Sequence, residues 1–583
     1  VQLDMLRGVL TTEVSGGGMV VRSIRFASIV RPGIHVVKVN GPKHLIGAGP
    51  STIAPVNGFV VATTDLVTDD GATREIVRIA AIAARHDSGV DTQHPDERLA
   101  AAVDLGFDHL LDEHAAAWSR RWQQCAVDMP AQPALERAVR LALFHLLAAI
   151  PRRADAGIGA RSLTGPAYKG HVFWDTDVFV VPALAAFAPE GALGALRYRW
   201  RRLDAARRRA SDDGYEGARF PWESAATGDE VTPAIGRDLN GGSVPILTGQ
   251  LEEHIVADVA WAACRYLAWT DDTDTARSIA ADLITETARY WQSRIEVDSD
   301  GRGHIRNVIG PDEYHERVDD NAYTNVMARW NLATAADLAD RFDLPIGDEA
   351  ARWRSTSDRI VDGFDAARGV DEQFDGFFEL DELMAGTLGE PPLAADALLG
   401  RDRIGRSQIV KQADVLMLHH VVPELMRSGS LERDLDFYLP RTAHGSSLSP
   451  AITASVLARA RRITEAQKWF DVAARFDLDD LSGTTAGGIH LATMGGLWQA
   501  LAAGFLGVHP TAAGLRVDPI VPGGWGTVTI RIEFQGNAVE VTASTHEFCV
   551  SSPVPITVID RSGKHRRGCQ IEARSSGYDW SFT

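Results

Sequence analysis

Apolar and polar residues alternate through the first 85 or so positions, as in Val20-Val21-Arg22-Ser23-Ile24-Arg25-Phe26-Ala27-Ser28-Ile29. A period of two predicts antiparallel strands with one solvated face. From Asp96 to Gln124 the period becomes helical (Leu99, Val103, Leu105, Leu110, Leu111, Trp118, Trp122), which predicts a linker helix pair. Between about Leu135 and Phe505 helical patterns follow one another, at 135–149, 192–210, 250–267, 277–294, 321–342, 409–427, 450–462, 465–476 and 490–505. Roughly a dozen helices in one run, with every chemical-looking motif in the loops, predict a closed α/α toroid whose loops build a pocket. Alternation returns after about 511 (Thr527-Val528-Thr529-Ile530-Arg531-Ile532-Glu533-Phe534), with turns at Pro522-Gly523-Gly524 and Gly536-Asn537, and predicts a small β-sandwich.

Composition narrows the field. With 583 residues, 45% hydrophobic and 23% charged, the chain has room for roughly three or four domains. No apolar run is long enough to span a bilayer. A net charge of -19 opposes a nucleic-acid or anionic-membrane partner. The four cysteines (Cys125, Cys264, Cys549, Cys569) are scattered, so neither a disulfide framework nor a metal site is expected. Val1 carries no methionine, basic n-region or apolar h-region: no targeting segment is read, and the true start is either missing or renumbered.

The most informative segment is Gly310-Pro311-Asp312-Glu313-Tyr314-His315-Glu316, a turn rich in carboxylates ahead of the helix predicted from 321. Glu313, desolvated by Tyr314 and aromatic neighbours, could keep its proton and act as a general acid. The plainer alternative is helix capping. Two Trp-acid pairs, Trp174-Asp175 and Trp222-Glu223, offer an apolar face for sugar C–H groups and an acceptor for paired hydroxyls, against the alternative of buried aromatics beside capping acids. Lys411-Gln412 opens a helical run and is either a solvated helix face or a pair of hydroxyl donors. In Arg441-Thr442-Ala443-His444-Gly445-Ser446-Ser447-Leu448-Ser449-Pro450, Ser449 reads as an N-cap with Pro450 at the first helical position. Gly445, Ser446 and Ser447 then form a donor-rich loop at a helix N-terminus, suited to phosphate. Residues 441–450 hold no Asp or Glu, so this loop has no base with which to activate water.

Taken together, Gly-His-Val-Phe-Trp-Asp, Phe-Pro-Trp-Glu-Ser-Ala, Gly-Pro-Asp-Glu-Tyr-His with Asn321-Ala322-Tyr323-Thr324-Asn325, Lys-Gln-Ala-Asp and His-Gly-Ser-Ser-Leu-Ser resemble the signature set of glycoside hydrolase family 65, in that family's order. The resemblance implies a multidomain α and β protein: an (α/α)6 barrel catalytic domain (131–508) between an N-terminal β-sandwich remainder (1–90), followed by a helical linker (91–130), and a small C-terminal β-sandwich (509–583). The N-terminal β region is shorter than the family's usual one, which implies that part of it is absent from this numbering. By position, the resemblance makes Glu313 the general acid, Trp174, Asp175, Trp222, Glu223, Lys411 and Gln412 the walls of a glucose subsite, and Gly445, Ser446, Ser447 and His490 the phosphate site. Asp177 stands where the family's pattern has Glu, and Asp320 where it has Asn.

The implied reaction is inverting phosphorolysis of an α-linked glucosyl disaccharide to β-glucose 1-phosphate and a sugar acceptor. Glu313 protonates the leaving oxygen while phosphate attacks C1 from the opposite face. Phosphate is a co-substrate that needs no base, and no metal or organic cofactor is expected. The cytoplasm, with its phosphate, is the expected compartment, and a homodimer is the assembly common among the proteins this chain resembles. Two alternatives stay open: an inverting α-glucoside hydrolase of the same family, and a non-catalytic sugar-binding protein.

Overall fold

The computed structural model describes residues 1–56, 59–84, 94–151, 156–237, 242–575 and 580–582. The expected boundary at 90/91 lies outside them. Two compact units emerge, Val1–Ala126 and Val127–Thr583.

The first unit contains seven antiparallel strands, β1 (Gln2–Asp4), β2 (Val9–Gly16), β3 (Met19–Ala27), β4 (Ile34–Pro42), β5 (Thr52–Val56), β6 (Phe59–Asp70) and β7 (Thr73–Ala84), in the order β1-β2-β3-β4-β7-β6-β5. They form one sheet, in keeping with the incomplete N-terminal β region expected. A helix covers it. Pro95–Cys125 lays Ala102, Phe107 and Leu110 on Val9, Phe26, Ile34, Val36 and Ile79, so the apolar face is covered without a second sheet. Gly106 breaks that helix at φ 76°, ψ 168°, which makes it the pair of helices that the periodicity predicts.

The second unit is built around a closed ring of helices. Val181–Ala185, continuing the π-turn Thr176–Val180, packs on Ile255–Thr270, which packs on Ala322–Phe342. The ring goes on through Asp414–Val421, Ser449–Arg459 and Leu491–Gln499, and the last of these returns to Val181–Ala185. Six more helices flank these from outside, namely Pro133–Ala148, Pro189–Trp200, Ala281–Arg294, Glu349–Ser357, Ser430–Tyr438 and Ile463–Arg475. An inner helix must be apolar nearly all round. Ile255–Thr270 is: Ile255, Val256, Val259, Ala260, Trp261, Ala263, Tyr266 and Trp269 are all buried. Each large side chain so placed contributes about 1.5–3 kcal/mol. This is the expected α/α barrel.

The C-terminal strands make one hydrogen-bonded network that also recruits Val127–Asp128 against Val528–Phe534. Its long strand Glu547–Ile559 pairs with Asn537–Ala543 in its first half and with Gly514–Arg516 in its second, changing neighbour across the irregularity between Ser551 and Ile556. Strict alternation in Val528–Phe534 buries Val528, Ile530, Ile532 and Phe534.

Candidate active site

The residues singled out in the sequence stand in the segments that lead into the inner helices. Trp174 and Asp175 precede Thr176, Glu313 precedes the helix at Ala322, Lys411 and Gln412 precede Asp414, Ser446 and Ser447 precede Ser449, and His490 precedes Leu491. Of the candidate site residues singled out in the sequence, all but Glu223 line one cavity of about 450 Å³. Helix N-termini carry partial positive charge, so this end of the barrel suits anions.

Asp312 fixes the turn that carries Glu313. It is 2% exposed. Its Oδ1 accepts from Lys411 N at 2.7 Å, its Oδ2 accepts from His315 Nδ1 at 2.6 Å and Gln373 Nε2 at 3.0 Å, and its own N–H donates to Asp414 Oδ1 at 2.8 Å. His315 donates from its other nitrogen to Ser407 O at 2.8 Å. Burial disfavours the His315 imidazolium, but the Asp312 carboxylate outweighs it and raises its pKa. Burial, with the Asp312 charge beside it, pushes Asp414 up to about 8.

Glu313 does not cap the following helix. Asn321 does, its Oδ1 accepting from Thr324 N at 2.9 Å. Glu313 instead takes a hydrogen bond from Lys411 Nζ at 2.6 Å. Burial opposes the Lys411 charge, yet the carboxylates of Glu313 and Glu252 more than offset it, and its pKa is raised. Tyr314 points its hydroxyl away, to Asp396 Oδ1 at 3.2 Å, and accepts from Ala395 N at 3.1 Å, so the partner of the Glu313 carboxyl is a cation and not the expected aromatic ring.

Trp174 and Trp222 stack with centroids 6.5 Å apart, and Phe173 meets Trp222 edge-on at 6.0 Å. Beneath them His254 touches Trp174 edge-on at 4.9 Å. His254 bridges Asp258 (2.7 Å) and Glu252 (3.3 Å), and Asp258 also accepts from Tyr323 at 2.9 Å. Burial works against the His254 charge, but the two carboxylates raise its pKa to about 9. This charged floor locks the tryptophans in place. Asp175 lines the cavity, and burial, reinforced by the Glu313 charge, pushes its carboxyl up to about 7.

On the loop side, Gly445 permits a close approach: a Cβ there would lie 2.7 Å from Tyr314 Oη. Ser449 is the first residue of its helix rather than the N-cap, because its hydroxyl is taken by His444 Nδ1 at 2.8 Å and Leu448 holds the cap position. Ser446 and Ser447 stay partly exposed to the cavity. His490 donates from Nδ1 to Asp477 Oδ1 at 2.7 Å, which turns Nε2 toward Thr484 Oγ1 at 3.3 Å. Arg161 joins this group and was not signalled by any motif. It is 6% exposed, lines the cavity, and donates to Gly488 O at 2.6 Å and Thr484 Oγ1 at 3.3 Å. A lone arginine in a Gly-Ala-Arg-Ser loop gives no pattern to read.

Glu223 faces elsewhere. It accepts from His171 Nδ1 at 2.6 Å, and both line a second, larger cavity of about 1710 Å³. Glu313, Lys411, Trp222 and Gly445 border both cavities, so the candidate acid stands at their junction. Asp177 and Asp320 line neither: Asp177 is buried against Arg199 at 2.5 Å, and Asp320 accepts from His304 at 2.6 Å.

The profile of the glycosyl hydrolase family 65 central catalytic domain matches residues 140–499, and that of the family's C-terminal domain matches 510–563. A kojibiose phosphorylase of Caldanaerobacter subterraneus subsp. tengcongensis is 37% identical over 77% of this chain and 60% of its own length. One from Halothermothrix orenii is 35% identical over 76% of this chain and 59% of its own. The chain thus spans about three fifths of the length of these curated relatives. A solved structure, provisionally assigned as a kojibiose phosphorylase from the human microbiome, superposes with a TM-score of 0.85 over 98% of this chain and 86% of its own, at 20% identity, and so shares the fold. The chain belongs to glycosyl hydrolase family 65.

Proposed function

We propose that this chain catalyses inverting phosphorolysis of an α-linked glucosyl disaccharide, kojibiose first among the substrates to test, releasing β-glucose 1-phosphate. The observation that carries the reading is the composition of the inner cavity. An aromatic-walled subsite, one acid at its mouth, and the donors of Ser446, Ser447, His490 and Arg161 share it. The glucosyl unit binds against Trp174 and Trp222, with Asp175, Lys411 and Gln412 meeting its hydroxyls. Glu313, at the junction with the larger cavity, donates its proton to the oxygen leaving with the acceptor. Lys411, bonded to the Glu313 carboxyl, stabilises the carboxylate left once that proton is delivered. Phosphate, held by the serine loop and cationic donors, attacks C1 from the other face. An anion already nucleophilic needs no base, metal or organic cofactor at the reacting atoms.

A second reading rests on Asp175. Asp175 and Glu313 are the two carboxyls among the described residues lining the inner cavity, and a carboxyl near 7 is suited to a base. It would make the chain an inverting hydrolase. Kojibiose, nigerose, maltose and trehalose, each incubated with and without phosphate and followed by proton NMR, separate the two. Phosphorolysis gives the β-anomer of glucose 1-phosphate only with phosphate present, whereas hydrolysis gives β-glucose in both arms. No turnover on any donor would leave a sugar-binding protein.

A further inference from the structure

Outside the linings of both cavities, three side chains meet for which the proposed reaction has no use. Asp371 ends the short strand Val370–Asp371, His419 lies in the last turn of Asp414–Val421, and Asp434 lies on Ser430–Tyr438. One ligand atom from each lies within 4.8 Å of the other two. Asp371 is 5% exposed and Asp434 fully buried, and the His419 side chain is 5% exposed.

The hydrogen bonds leave this cluster incomplete. Asp434 Oδ1 accepts from Asp371 N at 3.0 Å and its Oδ2 from His419 Nε2 at 2.8 Å. Asp371 Oδ2 is buried and receives no N–H or hydroxyl donor, and the Asp371 carboxyl meets that of Asp434. Nearby Arg427 gives its guanidinium to Asp362 at 3.0 Å and lies over Phe364. A buried oxygen without a partner, Ser430 Oγ, stands one turn before Asp434 on the same helix face. Two buried carboxyl groups side by side call for a shared proton or a cation between them.

We propose that Asp371, His419 and Asp434 bind one first-row divalent ion, Mn²⁺ or Zn²⁺. Bonds of about 2.1 Å space neighbouring ligands of a tetrahedral or octahedral ion roughly 3.0–3.4 Å apart, so the triad, whose atoms lie within 4.8 Å of one another, closes by up to about 1.4–1.8 Å on binding. Calcium and magnesium favour all-oxygen shells, and the imidazole speaks against them. The ion acts as a structural clamp. Two residues after Asp371, Gln373 donates to Asp312 Oδ2 at 3.0 Å and accepts from Asp414 N at 3.2 Å. Five residues before His419, Asp414 accepts the Asp312 N–H. Both ligand-bearing segments therefore run into the Glu313 turn.

The test uses the full chain, stripped with chelator and titrated with MnCl₂ and, separately, ZnCl₂ by calorimetry, with melting followed in parallel. The expected result is one ion per chain and a rise in Tm of about 2–5 °C at saturation. Asp371→Asn should lower affinity at least tenfold and abolish the rise, yet match or exceed the wild type in chelator, since it removes one of two facing carboxylates. His419→Gln gives the same comparison should Asp371→Asn not fold. Wild-type protein that takes up neither ion at millimolar concentration, or variants that bind and melt as the wild type does, would overturn the site.

Discussion

Glu313→Gln separates the acid's chemistry from its structural contacts. Glutamine keeps the shape of Glu313 and an Oε1 that still accepts from Lys411, so the turn held by Asp312 is unchanged. What disappears is the proton and one charge of an ion pair. With side chains 35% and 23% exposed for Glu313 and Lys411, that pair contributes about 1 kcal/mol at most, or roughly fivefold in any equilibrium. A general acid contributes about 10²–10⁴-fold, equivalent to about 2.7–5.4 kcal/mol. The two shares can be told apart by the leaving group. On kojibiose with saturating phosphate, kcat should fall at least a hundredfold. On α-glucosyl fluoride, whose fluoride departs without a proton, it should stay within about fivefold. An equal loss on both donors, or a loss under fivefold on kojibiose, would refute the assignment of Glu313 as the acid.

Three further outcomes follow from the same geometry. The Asp175 carboxyl, pushed up to about 7, carries its proton below that pH and accepts hydroxyl hydrogens fully only above it. kcat/KM for the disaccharide should therefore rise through about pH 7, and Asp175→Asn should flatten that limb, whereas an unchanged profile would remove Asp175 from the glucose subsite. Arg161→Ala should raise the KM for phosphate at least tenfold with little change for the disaccharide, each charge-assisted hydrogen bond contributing about 1.5–3 kcal/mol; equal effects on both substrates would make Arg161 a loop brace only. Asp177→Ala leaves the fully buried Arg199 unpaired and should cost about 3–5 kcal/mol in urea unfolding, and a loss below about 1 kcal/mol would contradict the buried pair.

Period and turn chemistry carried much of this structure. The helix predicted at 321–342 is Ala322–Phe342, capped by Asn321, because local sequence and packing agree there. The run at 192–210 is two helices, Pro189–Trp200 and Leu203–Asp212, with no Pro or Gly between them to mark the break. The run at 409–427 shortens to Asp414–Val421, since Lys411 N is drawn to Asp312 and Asp414 N to Gln373, partners 99 and 41 residues away in the chain. Such tertiary bonds leave no local mark. The same holds for the site: Trp174, Glu313 and Ser446 sit in motifs, whereas Arg161 and the His254 floor act through contacts that only folding creates. What covers the N-terminal sheet was unreadable for a related reason, since alternation predicts a covered face without saying whether sheet or helix covers it.

Phosphate dependence tests the central claim most directly. Glucose 1-phosphate and free glucose should be measured side by side across a phosphate titration on the preferred disaccharide, for wild type and for Ser446→Ala/Ser447→Ala. The account predicts no turnover without phosphate, saturable formation of β-glucose 1-phosphate, and a double variant whose phosphate KM rises or kcat falls while disaccharide binding holds. Rapid release of free glucose in phosphate-free buffer, unaltered by the double substitution, would contradict it.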